Sequence, residues 1–222
     1  MYWNDEGYLL SKNNFDENAI IIEAFTLDHG KCSGIIYGGS SRKQKKNLQV
    51  GNKIQFNWKS KGEYKIGYFT TELIKPISPL FFDDKKRSIC ILSAVSILKI
   101  LLPPGQINKD IYHSFEKMLN ELQSFNWINL YILWELSLIK QLGFEINFLG
   151  HENEKDNNNS VLINHRSFNI PKLFRSTGTN INSNKEISEA LLFNKNLFLE
   201  NFILPNKLKL PSPRNILEKY YI

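Results

Sequence analysis

Short runs of alternating apolar and polar residues fill the first third of the chain and predict β-strands. The alternation is clearest from Lys53 to Lys59, where Ile54, Phe56 and Trp58 share one side and polar residues take the other. Turn-forming residues, most of them including glycine, separate the runs. The predicted strands are Tyr8–Ser11, Ala19–Thr26, Lys31–Tyr37, Lys53–Trp58 and Lys65–Leu73. Strands this short, with short connections, predict a small closed barrel such as an OB-fold, and an SH3-like barrel fits the pattern almost as well.

The period of the apolar residues changes after Pro76-Ile77-Ser78-Pro79. Beyond this point the apolar positions recur at helical spacing, and the segment from Phe144 to Ile181 is rich in asparagine and predicted to be irregular. The predicted helices are Asp83–Leu102, Ile107–Leu122, a helix capped by Asn126 and stopped by Gly143, Lys185–Glu200 and Pro213–Tyr220. The predicted fold class is therefore a two-domain α+β protein, with an OB-fold β-barrel in residues 1–77 and an all-helical domain in residues 78–222.

The positive charge of the chain is concentrated in one segment. The 222 residues carry a formal net charge of +6, and the heavy use of Asn, Ile and Lys is typical of an AT-rich genome, which makes part of the lysine content background. Residues 1–30 nevertheless hold one lysine against six acidic residues, whereas residues 31–75 hold ten Lys and Arg against two. A local excess of eight positive charges indicates a polyanionic partner.

Cysteine content and hydropathy point to the cytoplasm. Cys32 and Cys90 lie far apart in apolar surroundings, which favours buried free thiols in a reducing compartment. The acidic first residues do not form a signal peptide, and the longest apolar run, Ile89 to Leu102, is too short and too polar to cross a bilayer. We expect a cytoplasmic, nucleoid-associated protein without a membrane partner.

No catalytic motif stands out. The sequence has no nucleophile elbow and no His-Glu-x-x-His zinc motif. Of the four histidines, His29 falls in a turn, His113 on a helix, and His151 and His165 in the irregular segment, where a metal would need further ligands. These positions favour surface or capping roles, so we expect a binding protein without a cofactor, a metal or enzymatic turnover.

The segment YGGSSRKQKKNLQVG, from Tyr37 to Gly51, is the strongest functional signal. A Walker phosphate loop requires Gly-Lys-Ser/Thr between a strand and a helix, whereas Gly38-Gly39 is followed by a basic run and then, we predict, by a strand. Two interpretations remain open: a solvated loop, or a flexible basic arm that lies along the phosphates of a nucleic acid.

Aromatic residues interleaved with lysines favour the arm. Tyr64 and Tyr68 alternate with Lys61 and Lys65, and rings beside cations suit single-stranded nucleic acid, whereas the phase of Trp58 places it in the core. The candidate DNA-binding residues are Arg42, Lys43, Lys45, Lys46, Lys53 and Lys59, with Lys31 and Lys61 as outer contacts.

A series of residues in a fixed order resembles the RecO family. Within this series, the segments Trp-Glu-Leu and Gly-Gly-Ser-x-Arg resemble the corresponding segments of alphaproteobacterial members. The series covers nearly the whole chain, and its order and spacing are more specific than any single motif. In the N-terminal half it comprises Asp5-Glu6-Gly7, Leu9, Leu10, Ser11, Glu17-Asn18, Thr26-Leu27, His29-Gly30, Gly34, Gly38-Gly39-Ser40, Arg42, Leu48-Gln49, Gly51-Asn52, Trp58, Gly67 and Glu72. In the helical half it comprises Tyr131, Trp134-Glu135-Leu136, Leu142-Gly143-Phe144, Leu210-Pro211 and Arg214.

The resemblance implies an N-terminal OB domain and a helical C-terminal domain. It further implies binding of single- and double-stranded DNA, annealing of complementary strands, and loading of RecA onto DNA coated with single-strand-binding protein (SSB), together with RecR. The helical domain would receive the C-terminal tail of SSB. Many members carry a cysteine zinc finger after the Leu-Gly-Phe segment, but residues 148–166 contain no cysteine, so we expect no zinc site here.

Two other functions fit the residues alone. An RNA-binding OB protein would use the same cations and rings. A protein-interaction adaptor would use the basic surface to bind an acidic peptide.

Overall fold

The computed structural model of the chain describes residues 1–60, 62, 66–144, 160–163, 166–175 and 183–222. The chain divides into two compact units, Met1–His113 and Ser114–Ile222. The division into domains of residues 1–77 and 78–222 stays a prediction.

Five strands of the first unit close into a barrel. They are β1 (Tyr2–Asp16), β2 (Ala19–Thr26), β3 (Gly30–Tyr37), β4 (Lys53–Lys59) and β5 (Gly67–Lys75). Their order around the barrel is β1-β2-β3-β5-β4, with β3 parallel to β5 and β4 returning to pair with β1. A closed five-stranded barrel with a crossed-over strand order is OB-like, which confirms the predicted fold class.

Strand β1 is much longer than the predicted Tyr8–Ser11. Its first half pairs with β4, from Tyr2 opposite Lys59 to Tyr8 opposite Lys53, and its second half pairs with β2. The residues that sequence patterning missed are mostly polar, because outward positions of a barrel strand face solvent and show no apolar run. The single long strand is what closes the barrel.

The barrel core follows the alternation read from β4. Ile54 and Phe56 are buried in a cluster with residues from every other strand, and Trp58 packs against that cluster from its edge. Trp58 lies directly over Gly67, where an added Cβ would stand 2.1 Å from the indole ring. This confirms Trp58 as a packing residue of the barrel.

A short helix, α1 (Arg42–Asn47), follows β3, where we had predicted a flexible basic loop leading into a strand. The prediction was wrong because Ser41 caps the helix, accepting a hydrogen bond from the Gln44 amide, and Leu48 at its end is buried in the barrel core. A Walker loop is still excluded, because Gly-Lys-Ser/Thr is missing.

Two long helices continue the first unit. A 3-10 turn, Ser78–Phe81, leads into α2 (Lys85–Leu101), which is capped by Asp84 and packs against β1; α3 (Lys109–Asn120) follows and ends in a second 3-10 turn, Glu121–Gln123. Tyr112 of α3 places its ring 5.4 Å from that of Tyr8 and 5.6 Å from that of Phe25. Both helices agree with the predicted ranges to within three residues at each end.

The second unit is helical with one hairpin. Its elements are the end of α3, α4 (Trp127–Gln141), the hairpin β6 (Ser160–Ile163) and β7 (Arg166–Asn169), α5 (Lys172–Arg175), α6 (Asn184–Phe198) and α7 (Ser212–Lys219). Gly143 ends α4 with φ 97°, as predicted, and Asn126 stands at the N-cap position without a capping side-chain bond. The hairpin and α5 fall in the segment expected to be irregular, because four-residue elements are too short to show a period.

A buried ion pair joins three of these helices. Arg214 of α7 and Glu135 of α4 are fully buried and meet through two bonds, Nε to Oε1 at 2.5 Å and Nη2 to Oε2 at 3.1 Å. Arg214 also donates to the Leu191 carbonyl of α6, while Tyr131 and Asn194 donate to the Glu135 carboxylate. Burial opposes the charge of Arg214, yet Glu135, together with Tyr131 and Glu218, outweighs this effect and raises the pKa of the guanidinium.

Replacing Gly67 with alanine should destabilise the barrel. The new methyl group would force the Trp58 indole out of its place, and overpacking of this kind costs about 1–3 kcal/mol. Urea unfolding followed by circular dichroism measures the change. Gly62→Ala is the matched control, because an added Cβ there meets no atom within 4 Å. Equal stability of both variants would contradict this account of the core.

Glu135→Gln should lower the free energy of unfolding by about 3–5 kcal/mol, because it removes the two closest charged contacts of the buried Arg214 and leaves only Glu218, at 3.5 Å, as a carboxylate partner. The double variant Glu135→Leu/Arg214→Met should be more stable than Glu135→Leu alone, which urea unfolding of the two proteins tests. Lys172→Ala, which removes an exposed ion pair with Glu186, serves as the control and should change little. A double variant that is less stable than Glu135→Leu alone would show that the buried Arg214 charge does not depend on Glu135.

Candidate nucleic-acid interface

The acidic residues of the first 30 positions are mostly paired with cations outside α1. Glu6 binds Lys53, Glu23 binds Lys99 and Asp28 binds Lys109, each at 2.7 Å. Asp5, which is buried, accepts a 2.9 Å contact from the His29 ring. The remaining two, Asp16 and Glu17, line a cleft together with Lys45 of α1, although no ion pair forms there. Most of the negative charge that opens the chain is therefore paired away from the basic segment that follows β3.

The cations of α1 are exposed. Arg42, Lys45 and Lys46 reach solvent, and among the described residues no carboxylate lies within 4.0 Å of their charged groups. Position 43, the fourth basic residue, lies in the same helix. At 100° per residue the four basic positions fall within an arc of about 160°, so they share one side of the helix.

The opposite side of α1 is fixed to the barrel. Leu48 lies in the core, and the buried Asn52 side chain donates to the Asn47 carbonyl at 3.0 Å while accepting the amides of Ile77 and Ser78. The helix thus holds its cations on a rigid support.

Lys12 is a cation beside α1 that sequence reasoning did not select. Its ammonium donates to the Leu48 carbonyl at 2.5 Å, at the end of the helix, and burial together with the charge of Lys45 lowers its pKa. Its position on β1 could have identified it, but the predicted strand Tyr8–Ser11 ended before Lys12.

Lys53 and Lys31, two of the candidate residues, are engaged inside the first unit. The Lys53 side chain is 15% exposed, binds Glu6, and lies 6.0 Å from the ring centroids of both Tyr8 and Tyr112. Lys31 donates to the Lys99 carbonyl at 2.7 Å, and burial lowers its pKa. The structure does not bring either ammonium to the exposed side of α1.

Lys59 is exposed at the far end of β4, about 20 Å along the strand from Lys53. Its ammonium lies 5.5 Å from the centroid of the Tyr2 ring, and no carboxylate of the described chain pairs with it. Lys61, the remaining candidate, lies outside the described residues.

The described histidines hold structural positions. His29 contacts Asp5 and stacks on Trp3 with ring centroids 4.1 Å apart, while His113 lies on α3 beside Tyr112. His151 and His165 lie outside the described residues. Within the described ranges, no group of three or more His, Cys, Asp or Glu could hold a metal ion.

The cysteines are free, as predicted. Cys90 is buried and Cys32 is partly buried, with a thiol whose pKa is raised to about 11 chiefly by burial. Among the helices that the structure describes, none is both long and apolar enough to cross a membrane.

Comparison with known proteins adds the family. The model "Recombination protein O N terminal" matches residues 1–77, and "Recombination protein O C terminal" matches residues 83–166. Proteins named "DNA repair protein RecO" from Cereibacter sphaeroides, Dinoroseobacter shibae and Hyphomonas neptunium are 32%, 31% and 31% identical over 143, 149 and 147 residues. The matches take in 64%, 67% and 65% of this chain but 60%, 62% and 60% of those relatives.

These relatives are alphaproteobacterial, as the resemblance indicated. The N-terminal model matches the first part of the chain and the C-terminal model matches the part that follows, and together they cover most of the chain. The chain belongs to the RecO family.

Proposed function

We propose that this chain is a DNA-repair mediator that binds single- and double-stranded DNA through α1 and anneals complementary strands without enzymatic turnover. In this proposal residues 1–77 form the nucleic-acid-binding domain. Residues 78–222 form the helical domain that receives the SSB tail, and the protein acts with RecR to load RecA at the cytoplasmic nucleoid. The observation that carries the proposal is that Arg42, Lys45 and Lys46 of α1 are exposed and form no ion pair within the described chain, whereas Glu6, Glu23 and Asp28 are paired with other lysines.

Charge density favours a nucleic acid over an acidic peptide. Positions 42 to 46 span about 6 Å of helix axis. A duplex carries one charge per ~1.7 Å, or three to four over this length, whereas an extended peptide of consecutive acidic residues offers about two, since each residue spans ~3.3–3.6 Å. Four basic positions on one side of α1 therefore match the phosphate spacing of a duplex more closely, whereas a single strand, with one charge per ~3.4 Å, is not distinguished from the peptide by charge density.

Annealing follows from the same property. Two complementary strands repel each other through their phosphates, and a protein that neutralises part of this charge lowers the repulsion without making or breaking a bond. The reaction therefore requires cations on a stable support, which α1 provides.

Replacing Arg42, Lys43, Lys45 and Lys46 together with alanine should weaken DNA binding and flatten its salt dependence. Loss of four phosphate contacts reduces the slope of log K against log salt by up to about 2.8 for a single strand. Fluorescence anisotropy of a labelled oligonucleotide across a salt series measures both quantities. The charge-matched control replaces exposed lysines of the second unit: Lys117, Lys185, Lys209 and Lys219.

An unchanged affinity and slope in the α1 variant would remove α1 from the DNA-binding site. An equal loss in the control variant would show that binding depends on net charge alone. Competition by an RNA of the same sequence distinguishes the two nucleic acids, and stronger binding of RNA would favour the alternative of an RNA-binding OB protein.

The protein should accelerate annealing of complementary strands coated with SSB when it is present at stoichiometric amounts. The α1 variant should lose this acceleration, because it no longer offsets the repulsion between phosphates. Annealing followed by energy transfer between labelled strands, with and without RecR, measures the rate. Absence of acceleration by the intact protein would overturn the annealing role, and binding of an SSB-tail peptide without DNA binding would leave an adaptor.

A further inference from the structure

An exposed row of three tyrosines and one lysine crosses four strands of the barrel. In the strand register Tyr2 of β1 lies opposite Lys59 of β4, and Lys59 lies opposite Tyr68 of β5. Tyr68 lies opposite Ile35 of β3, and the ring of Tyr37, two residues further, stands 6.4 Å from that of Tyr68. We call these four residues the tyrosine row.

The rings of the tyrosine row are open to solvent. Tyr37 is 71% exposed and Tyr2 is 60% exposed, and Tyr68 is half-buried. Tyr8, Tyr112 and Tyr131, by contrast, are fully buried in the two units. Large apolar ring faces left in water at adjacent positions of a sheet indicate a surface that a ligand covers.

The surroundings of the tyrosine row favour an anionic ligand. Lys59 is its charged member, and the next outward row along the strands is neutral and polar, with Asn4, Asn57 and Thr70 in register. The carboxylate of Glu72 lies four residues from Tyr68 on β5, about 13 Å away along the strand. A phosphate beside Lys59 would therefore meet a cation and no close carboxylate of β1, β4 or β5. At the other end of the row, Tyr37 pairs with Ala19, next to the turn that carries Asp16 and Glu17, so the anionic ligand is expected at the Lys59 end.

The tyrosine row continues into α1 along the chain. Tyr37 ends β3, and a turn closed by the Ser41 amide on the Gly38 carbonyl leads to Arg42. Five residues of chain span at most about 18 Å, so one ligand strand can contact both surfaces. The row itself crosses three strand spacings, about 14 Å, which accommodates several stacked bases at ~3.4 Å each.

We propose that the tyrosine row stacks unpaired bases, so that the protein binds single-stranded DNA more tightly than duplex DNA. The inference rests on the proposed DNA-binding function and assigns the two surfaces different tasks. The cations of α1 bind phosphates, which both forms of DNA present. The ring faces bind base faces, which a duplex keeps inside its own stack.

Tyr37→Ala and Tyr2→Ala should each weaken binding of a single-stranded oligonucleotide about fivefold or more, and leave binding of a duplex within about twofold. Tyr37→Phe and Tyr2→Phe should bind like the wild type, because the ring remains. Phe125→Ala is the control for removal of an aromatic side chain, since Phe125 is 90% exposed in the second unit. Tyr68→Ala is compared only after its unfolding curve matches the wild type, because Tyr68 is half-buried.

A second measurement reports stacking directly. An oligonucleotide that carries 2-aminopurine should change in fluorescence when the wild type binds it, and the change should be lost with Tyr37→Ala. The wild type should also prefer a normal oligonucleotide over one whose central bases are removed, and the alanine variants should lose that preference.

The outcomes separate this inference from the proposed function. If DNA binding depends on α1 but the tyrosine variants bind both forms of DNA like the wild type, the tyrosine row is overturned and the function stands. Equal losses for single strands and duplex would also overturn it, because stacking on unpaired bases predicts a difference. A wild type that binds no DNA would overturn both.

Discussion

The buried ion pair between Arg214 and Glu135 holds α4, α6 and α7 together in the second unit. Both side chains are fully buried, so their desolvation must be offset by the ion pair itself and by hydrogen bonds from neighbouring groups. Tyr131 and Asn194 supply such partners to the carboxylate, and the Leu191 carbonyl supplies one to the guanidinium. A packing of the helices that separated these groups would leave a bare charge in an apolar interior, and this cost favours one arrangement over others.

The same residues explain why a family resemblance was visible in the helical half. Tyr131, Glu135 and Arg214 are three of the residues that carried it; Arg214 lies 79 residues from Glu135 in the sequence, yet all three meet in one network. Helical spacing of apolar residues predicted α4 but gave no reason for a carboxylate at position 135, one turn after Tyr131. A buried charge leaves no periodic signal, because its partner comes from another helix.

In the barrel, too, sequence patterning detects local features of a strand but not the partners that come from distant parts of the sequence. Alternation along β4 predicted the inward Ile54 and Phe56 correctly, because side-chain phase is a local property of a strand. The pairing of Lys53 with Glu6 joins two strands that are distant in sequence, so no local pattern could separate this engaged lysine from the exposed Lys59. The helix α1 was missed because its stability comes from Ser41 and Leu48 at its ends, while its own residues form no apolar face.

The distribution of charge in the first unit depends on which cations are paired. Acidic side chains of β1, β2 and the following turn bind Lys53, Lys99 and Lys109, and these ion pairs lie within the unit that contains the barrel. Arg42, Lys45 and Lys46 of α1 and Lys59 at the end of β4 are among the cations that stay exposed without a carboxylate partner in the described chain, and Lys59 stands beside a row of rings. Because the ion pairs of the first unit use other lysines, the modest net charge of the chain produces a local positive field at α1. The rings beside Lys59 add a contact of another kind, because ring faces stack on bases and not on phosphates.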